Sequence, residues 1–235
     1  MRITIAPGVE LTEDELRQAP PFMDWAKHVG RQWRGTITVN YAERWEGQVV
    51  SLQVVIVADD HPRPAIAVLR SPTIDVLTTI TNGSRWRRKK YCVFVEQYRP
   101  AAGCVVVSNP AGVCRWGEDP IDAIRREIWE DLDLHHLDFA RFDPDYRIVG
   151  LTREPVVASP RVTSERSQLF RLTIEVRGRA FPRFLHLLED RRTGVVVGGE
   201  QLRLRVVPID EARIFIEAQP VLDAKALLSL DRARL

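Results

Sequence analysis

One stretch, residues 112–134, constrains the fold of this 235-residue chain more than any other part of it. Asp119 is a favourable N-cap, and Pro120 suits the first helical position because no backbone N–H is needed there. Apolar residues then recur at spacings of three and four, which predicts an amphipathic helix with one buried stripe. The residues of that stripe are Ile121, Ile124, Ile128 and Leu132.

Three acidic residues follow a neighbouring stripe of the same predicted helix. Glu127, Glu130 and Asp131 are three and four positions apart, so their carboxylates share a face and repel one another. A hard divalent cation such as Mg²⁺ or Mn²⁺, which prefers oxygen ligands, would relieve that repulsion. A solvated acidic surface is the alternative. Arg126 lies one turn before Glu130, and we expect it to hold that carboxylate.

The segment before the helix reads Asn-Pro-Ala-Gly and predicts a tight loop, in which Gly112 lets the backbone approach a ligand closely. Loop and helix together give the pattern G-x5-E-x7-R-E-U-x-E-D-x-D-U, where U is apolar. This resembles the Nudix box, whose family pattern is G-x5-E-x7-R-E-U-x-E-E-x-G-U. Asp131 replaces the second glutamate of the family pair and is shorter, so activity or metal preference is expected to change. Asp133 replaces the terminal glycine.

The resemblance implies an α+β fold, an α/β/α sandwich with a mixed central sheet and the box formed by a loop and a helix. It implies a Mg²⁺ or Mn²⁺ site, places Gly112 in the substrate-binding loop, and gives Glu118 the task of supporting the loop by pairing with an arginine. The implied metal ligands are the Ala111 carbonyl, Glu127, Glu130 and Asp131.

Two segments outside the box resemble the Nudix subgroup that cleaves ADP-ribose and other nucleoside diphosphate sugars. Residues 97–100 resemble its Q-[YF]-R-P segment, in which Arg99 would pair with an acid or bind phosphate; a structural role is the alternative. Residues 159–165 resemble its S-P-G-x-[ST]-[SD]-E loop, with Arg161 in place of glycine. Glu165 matches the acid that reaches the metals or activates water. Family members differ in this step, so Glu165 and Glu127 both stand as candidates for the general base.

The implied reaction is metal-assisted hydrolysis of a nucleoside diphosphate linked to another group, giving a nucleoside monophosphate and a phosphorylated sugar. ADP-ribose is the first choice of substrate, and other nucleotide sugars are the second. Adenine would need an aromatic partner, for which Phe22, Trp33, Trp45 and Trp116 are candidates. One alternative is a Nudix-fold protein that binds a nucleotide or RNA with weak or no catalysis. Another is a pyrophosphohydrolase of 5′-RNA ends or nucleoside triphosphates.

Residues 1–70 are expected to form a strand-rich N-terminal segment, and residues 71–235 the hydrolase domain. Thr12 and Glu15 form a predicted capping box, and the alternation of Ile37, Val39 and Tyr41 predicts a strand with these three on its buried face. In pyrophosphatases that resemble this chain, such a segment is an antiparallel sheet that helps to form a dimer. A homodimer is therefore expected, with a sheet confined to one chain as the alternative.

Periodicity and turn residues also predict strands and a helix in the rest of the chain, from residue 73 onward. Residues 73–80 and 91–97 flank a turn and predict a β-hairpin. Residues 146–151, 156–158 and 169–176 predict strands, and Asp223 begins a predicted terminal helix. Residues 177–200 end in a glycine-rich run, which we interpret as a mobile connection.

Composition narrows the partners and the compartment. The net charge of +2 provides no global field for nucleic acid or a membrane, and no apolar run reaches membrane-spanning length. Only the basic stretch 85–90 (RWRRKK) suggests contact with RNA or DNA, with a solvated loop as the alternative. Cys92, Cys104 and Cys114 are odd in number and lack a C-x-x-C spacing, which indicates a reducing compartment. The expected location is the cytoplasm.

Overall fold

The computed structural model describes residues 1–29, 34–45, 47–83, 89–115, 117–132, 142, 144–189, 195–197 and 200–235. The chain divides into two compact units. The first unit consists of Met1–Thr73, Val113–Gly117 and Val156–Ser167. The second consists of Ile74–Gly112, Glu118–Pro155 and Gln168–Leu235. The first unit therefore combines the N-terminal segment with two short segments from later in the chain.

The α-helices of the described chain are α1 (Glu13–Gln18), α2 (Pro20–Val29), α3 (Pro120–Asp131), α4 (Ala180–Glu189), α5 (Ala212–Glu217) and α6 (Ala224–Ala233). A 3-10 turn covers Pro100–Ala102. The predicted capping box begins α1: the Glu15 amide donates to Thr12 Oγ1 at 3.2 Å, and the Thr12 amide donates to Glu15 Oε2 at 2.8 Å. Pro20 follows the end of α1 and is the first residue of α2, where its missing N–H costs nothing.

The strands are β1 (Arg2–Ile5), β2 (Gly35–Trp45), β3 (Gln48–Ala58), β4 (His61–Arg70), β5 (Thr73–Thr81), β6 (Lys90–Arg99), β7 (Cys104–Ser108), β8 (Ala111–Val113), β9 (Asp145–Gly150), β10 (Ser167–Glu175), β11 (Val195–Val197) and β12 (Glu200–Pro208). They form two sheets, and these mixed sheets with their helices confirm the predicted α+β class.

The first unit is built on a four-stranded sheet in the order β1-β2-β3-β4. Strands β2, β3 and β4 are antiparallel neighbours, but β1 lies parallel to β2. Helices α1 and α2 connect β1 to β2, and a parallel pair needs such a crossover. We expected an antiparallel N-terminal sheet. That expectation holds for β2, β3 and β4 but not for β1. Its core contains Leu16, Phe22, Ile37, Leu52 and Leu69.

A β-bulge in β2 changes which side chains face this core. The register with β3 shifts between Val39 and Tyr41. Ile37 and Val39 are fully buried as predicted, whereas Tyr41 is 57% exposed and Ala42 packs against the core instead. The prediction for Tyr41 is therefore wrong, because the extra residue of a bulge reverses the alternation after it.

The second unit contains the larger sheet, in the order β11-β12-β6-β5-β10-β9, with β7 paired to β6 and β8 paired to β5. The predicted hairpin is present: β5 and β6 are antiparallel and pair Thr81 with Lys90. Strand β9 pairs with β10 in antiparallel register. A core cluster packs on this sheet from β5, β6, β7 and the C-terminal helices, and includes Leu77, Phe94, Val107, Ile216 and Leu230.

Two elements differ from the sequence-based expectation. Residues 180–189, interpreted as part of a mobile connection, form helix α4, which buries Phe181, Phe184 and Leu188. Residues 156–158, predicted as a strand, contribute only an isolated bridge between Val156 and Ser167. Within the described part of the chain, no helix combines the length and apolar character needed to cross a membrane.

Candidate active site

Helix α3 forms as the sequence predicts. The Asp119 side chain accepts a hydrogen bond of 2.7 Å from the Ile121 amide, and Pro120 is the first helical residue. Ile124, Ile128 and Leu132 are completely buried. Because this stripe fixes the rotation of the helix, the acidic stripe beside it has a fixed direction as well.

Gly112 lies directly beside the acidic stripe. It belongs to the short strand β8, so the segment predicted as a tight loop is partly extended and paired with β5. Gly112 does not have a positive φ. Instead, a Cβ at this position would overlap the carboxyl group of Glu127. Glycine is therefore needed here because a carboxylate packs against the backbone.

Arg126 holds two of the acidic residues. Its Nε and Nη2 donate to the two oxygens of Glu118 at 3.1 and 2.9 Å, a two-pronged geometry that is both strong and specific. Its Nη1 donates to Glu127. Glu118 thus pairs with an arginine as expected, whereas the partner expected for Arg126 was Glu130. One arginine ties the start of the box to the acidic stripe.

Asp131 is the most buried acidic residue of the stripe, with 7% of its surface exposed. Burial, and then the negative charge of Glu127, raise its pKa to about 7, although the Ala111 amide donates a hydrogen bond to it. Burial also raises the pKa of Glu127, against the opposing effect of Arg126. Glu130 is exposed. Two of the three carboxyl groups of the stripe, those of Glu127 and Asp131, therefore lie where water solvates a negative charge poorly.

This donor set fits a hard divalent cation. Carboxylate oxygens are the ligands that Mg²⁺ and Mn²⁺ prefer, and a cation would offset the charge that raises the two pKa values. Within the described ranges, however, no three His, Cys, Asp or Glu side chains already converge closely enough to hold a metal ion. Glu127, Glu130 and Asp131 would have to change side-chain torsions to share one ion, with Ala111 nearby on β8.

A buried polar network supports the segment that leads to Ala111. Asn109 Nδ2 donates to Asp75 Oδ1 at 2.6 Å, and both residues are fully buried. Lys225 Nζ of α6 lies 3.8 Å from the other Asp75 oxygen. The Val76 amide donates to the Pro110 carbonyl at 2.9 Å. A side-chain pair and a backbone bond to β5 thus hold the two residues before Ala111.

Arg99 lies at the end of β6 and is exposed. Its positive charge reaches Asp131 and opposes the rise of that pKa. It therefore contributes positive charge to the acidic stripe, and its expected role in pairing with an acid or binding phosphate stays a prediction.

Glu165 lies in the first unit, whereas the other predicted site residues lie in the second. Its Oε2 is 3.0 Å from Arg70 Nη1, and its Oε1 accepts a hydrogen bond of 3.3 Å from Ser167 Oγ. The structure thus brings together Ala111, Gly112, Glu127, Glu130 and Asp131, with Arg99 in electrostatic range, in one unit. It shows Glu165 in a separate ion pair.

The four aromatic residues considered for stacking on adenine differ in their environment. Phe22 packs in the core of the first unit and contacts Trp25, so it is not available to stack on a base. Trp45 is 55% exposed. Trp33 and Trp116 lie outside the described residues, as do Asp133 and residues 85–88 of the basic stretch.

The buried pair of Asp75 and Asn109 was missed by sequence reasoning. In the subgroup that this chain resembles, the loop before the box helix usually reads E-[apolar]-P-A-G. This chain has Ser108-Asn109-Pro-Ala-Gly there, with Ser108 in place of the acid and Asn109 in place of the apolar residue. An amide in place of an apolar residue was the available signal, because a buried amide needs a polar partner. Arg70 was also missed, and no local pattern connects it to Glu165.

Comparison with protein-family models matches residues 72–225 to the NUDIX domain. Comparison with curated proteins gives no match. Among solved structures the chain is similar to one titled "Crystal structure of ADP compounds hydrolase", with a TM-score of 0.51 and 12% identity, over 86% of this chain and 92% of that chain. Residues 72–235 alone fall short of that coverage, so the shared fold includes part of the N-terminal segment. Because the family match spans most of the sequence, the chain belongs to the Nudix domain family and is a Nudix-type hydrolase.

Proposed function

We propose that this protein hydrolyses a nucleoside diphosphate linked to a sugar, with ADP-ribose or a related nucleotide sugar as substrate. The products are a nucleoside monophosphate and a phosphorylated sugar, and the cofactor is Mg²⁺ or Mn²⁺. The observation that carries the proposal is the acidic stripe packed on Gly112, in which burial and mutual repulsion raise the pKa values of Glu127 and Asp131. The solved relative titled as a hydrolase of ADP compounds supports the choice of an adenine nucleotide.

Each residue has a task in this proposal. Glu127, Glu130, Asp131 and the Ala111 carbonyl hold the divalent cation, which when bound neutralises phosphate oxygens and lowers the pKa of water. Arg126 orients Glu127 through the ion pair between them. Gly112 leaves room for that carboxylate.

Arg99 adds positive charge for the diphosphate. We assign the general base to Glu165 and not to Glu127, because Glu127 is needed as a ligand of the cation.

A substrate panel tests the proposal. ADP-ribose, other nucleotide sugars, nucleoside triphosphates and 5′-triphosphate RNA are compared with Mg²⁺, with Mn²⁺ and with EDTA. We expect turnover of ADP-ribose or another nucleotide sugar that depends on the metal, and a loss of about 10²–10⁴-fold in kcat for Glu127→Gln and Glu165→Gln. Glu154→Gln, which changes an exposed loop glutamate, is the matched control and should keep full activity. Tight nucleotide binding without turnover by the wild type would refute the hydrolase and support the binding protein.

We further propose that the protein is a homodimer in the cytoplasm. The first unit exposes apolar side chains that a partner would cover: Tyr41, Trp45, Ile66 and Val162. Light scattering after size exclusion should give twice the mass of the chain, and Ile66→Glu should shift it toward the monomer. Cys92, Cys104 and Cys114 form no disulfide with one another, which suits a reducing compartment. A chain that remains monomeric at micromolar concentration would contradict the dimer.

A further inference from the structure

Residues 162–164 lie along β4, the edge strand of the four-stranded sheet. The Val68 amide donates to the Val162 carbonyl at 2.7 Å, and the Ser164 amide donates to the Val68 carbonyl at 3.0 Å. Val68 and Thr163 form a parallel bridge. The segment that leads to Glu165 is therefore attached to the N-terminal sheet by backbone pairing, like a short additional strand.

Further hydrogen bonds, from the backbone and from side chains, extend this attachment on both sides of Glu165. The Arg70 amide donates to Ser164 Oγ at 3.1 Å, and the Thr73 amide donates to the Arg166 carbonyl at 2.9 Å. The hydroxyls of Thr73 and Ser167 are 2.7 Å apart and buried. Residues on both sides of Glu165 are thus bonded to the stretch from the end of β4 to the start of β5, which limits how far its backbone can move.

The Glu165 carboxylate is itself held at both oxygens. Oε2 is 3.0 Å from the Arg70 guanidinium, and Oε1 accepts from Ser167 Oγ at 3.3 Å. The Glu165 side chain is only 17% exposed, but that of Arg70 is 44% exposed. Such a half-exposed ion pair adds little to stability, whereas it restricts the direction of the carboxylate strongly. Direction matters for a general base, since a small displacement reduces the rate sharply.

We propose that Arg70 is a positioning residue for Glu165, and that the edge of the N-terminal sheet serves to hold this carboxylate in its working direction. The proposal rests on the proposed function, in which Glu165 accepts the proton of the attacking water. It gives residues 1–73 a part in catalysis that does not depend on a dimer.

Steady-state kinetics with a double-variant cycle test this role. Arg70→Ala should lower kcat about 10- to 100-fold and change KM by less than about threefold, with the melting temperature nearly unchanged. Arg70→Lys keeps the charge and should recover part of the rate. In the Glu165→Gln background, Arg70→Ala should have no further effect, because its partner is already gone. An equal loss from Arg70→Ala in both backgrounds would overturn the proposal.

Arg44→Ala is the matched control, since Arg44 forms a comparable half-exposed ion pair with Glu15 at 2.9 Å in the same unit. It should leave kcat unchanged. If Glu165→Gln turns over at the wild-type rate, the role assigned to Glu165 is wrong and the positioning role of Arg70 falls with it. Loss of turnover in Glu127→Gln would still uphold the proposed hydrolysis in that case, so the two failures can be told apart.

Hydrogen exchange provides a readout that needs no turnover. Arg70→Ala should speed exchange several-fold at the amides of Ser164 and Thr73, while Arg44→Ala should leave both unchanged. Unchanged protection of these amides in Arg70→Ala would show that Arg70 does not hold the segment, and would overturn the proposal whatever the kinetics.

Discussion

Asp131→Asn should remove a pH-dependent cost that the buried acid imposes on the metal-free protein. The folded state raises the pKa of Asp131 from 3.8 to about 7, through burial first and the Glu127 charge second. The wild-type stability from this residue is therefore fully present below pH 3.8 and is lost as the pH rises through 7. Asparagine has no such titration, and its side-chain oxygen can still accept the hydrogen bond from the Ala111 amide.

The size of the effect follows from proton linkage. Between the two pKa values, the unfolding free energy of the wild type should fall by about 1.4 kcal/mol per pH unit, which gives roughly 4 kcal/mol over the whole range. Between pH 5 and pH 8 the expected loss is roughly 2–3 kcal/mol, because part of the range lies below pH 5. Asp131→Asn should lack this loss, so its stability relative to the wild type should improve by that amount.

Urea unfolding in EDTA at pH 5 and pH 8 measures the difference. Asp122→Asn on the same helix is the matched control, because its side chain is 63% exposed and its variant should follow the wild type. Adding Mg²⁺ at pH 8 should stabilise the wild type more than Asp131→Asn, since binding to the folded state adds stability. Parallel pH dependence in the wild type and Asp131→Asn, or equal stabilisation of both by Mg²⁺, would refute the reasoning.

Two further predictions concern the support of the site. Gly112→Ala should lower kcat at least about tenfold with a small effect on the melting temperature, because its methyl group displaces the Glu127 carboxyl, which is the end of a flexible side chain; wild-type kinetics would contradict the packing. Lys225→Met should cost about 3–5 kcal/mol in urea unfolding because it leaves buried Asp75 without its cation, and adding Asp75→Asn should restore most of that loss. Lys27→Met, at an exposed position of α2, is the control for the lysine, and a cost no larger than that of this control would refute the buried-pair argument.

The box helix could be predicted because its determinants are local. Asp119, Pro120 and the apolar stripe lie within a few turns of one another, so capping and periodicity fix the helix without knowledge of the rest of the chain. The same holds for the capping box at Thr12. The match of residues 72–225 to the NUDIX domain confirms the family that the box indicated.

Helix α4 was missed although its signal is present. Phe181, Phe184 and Leu188 recur at helical spacing. Residues 177–200 were nevertheless interpreted as a connection, because a glycine-rich run follows these three residues. Pro182 does not interrupt the helix, because it is the third helical residue, where the amide has no partner within the helix. The error lay in extending the interpretation of the glycine-rich run to the residues before it.

Long-range partners could not be predicted from spacing. Asn109 binds Asp75, which lies 34 positions earlier, and Arg126 binds Glu118 eight positions earlier rather than an acid on the next turn. Such pairs are set by which strands and loops meet in the fold, and no periodicity encodes them. The bulge that exposes Tyr41 belongs to the same class, because it depends on pairing with β3.

The pairing of Val68 with residues 162–164 also bears on how the chain can be divided. A protein trimmed to the region matched by the family, residues 72–225, would keep every residue of the box but lose the strand on which the segment before Glu165 rests. Such a fragment would expose the unsatisfied amides and carbonyls of that segment to solvent. Recognising the family by its matched domain and isolating a working enzyme are therefore separate matters for this chain.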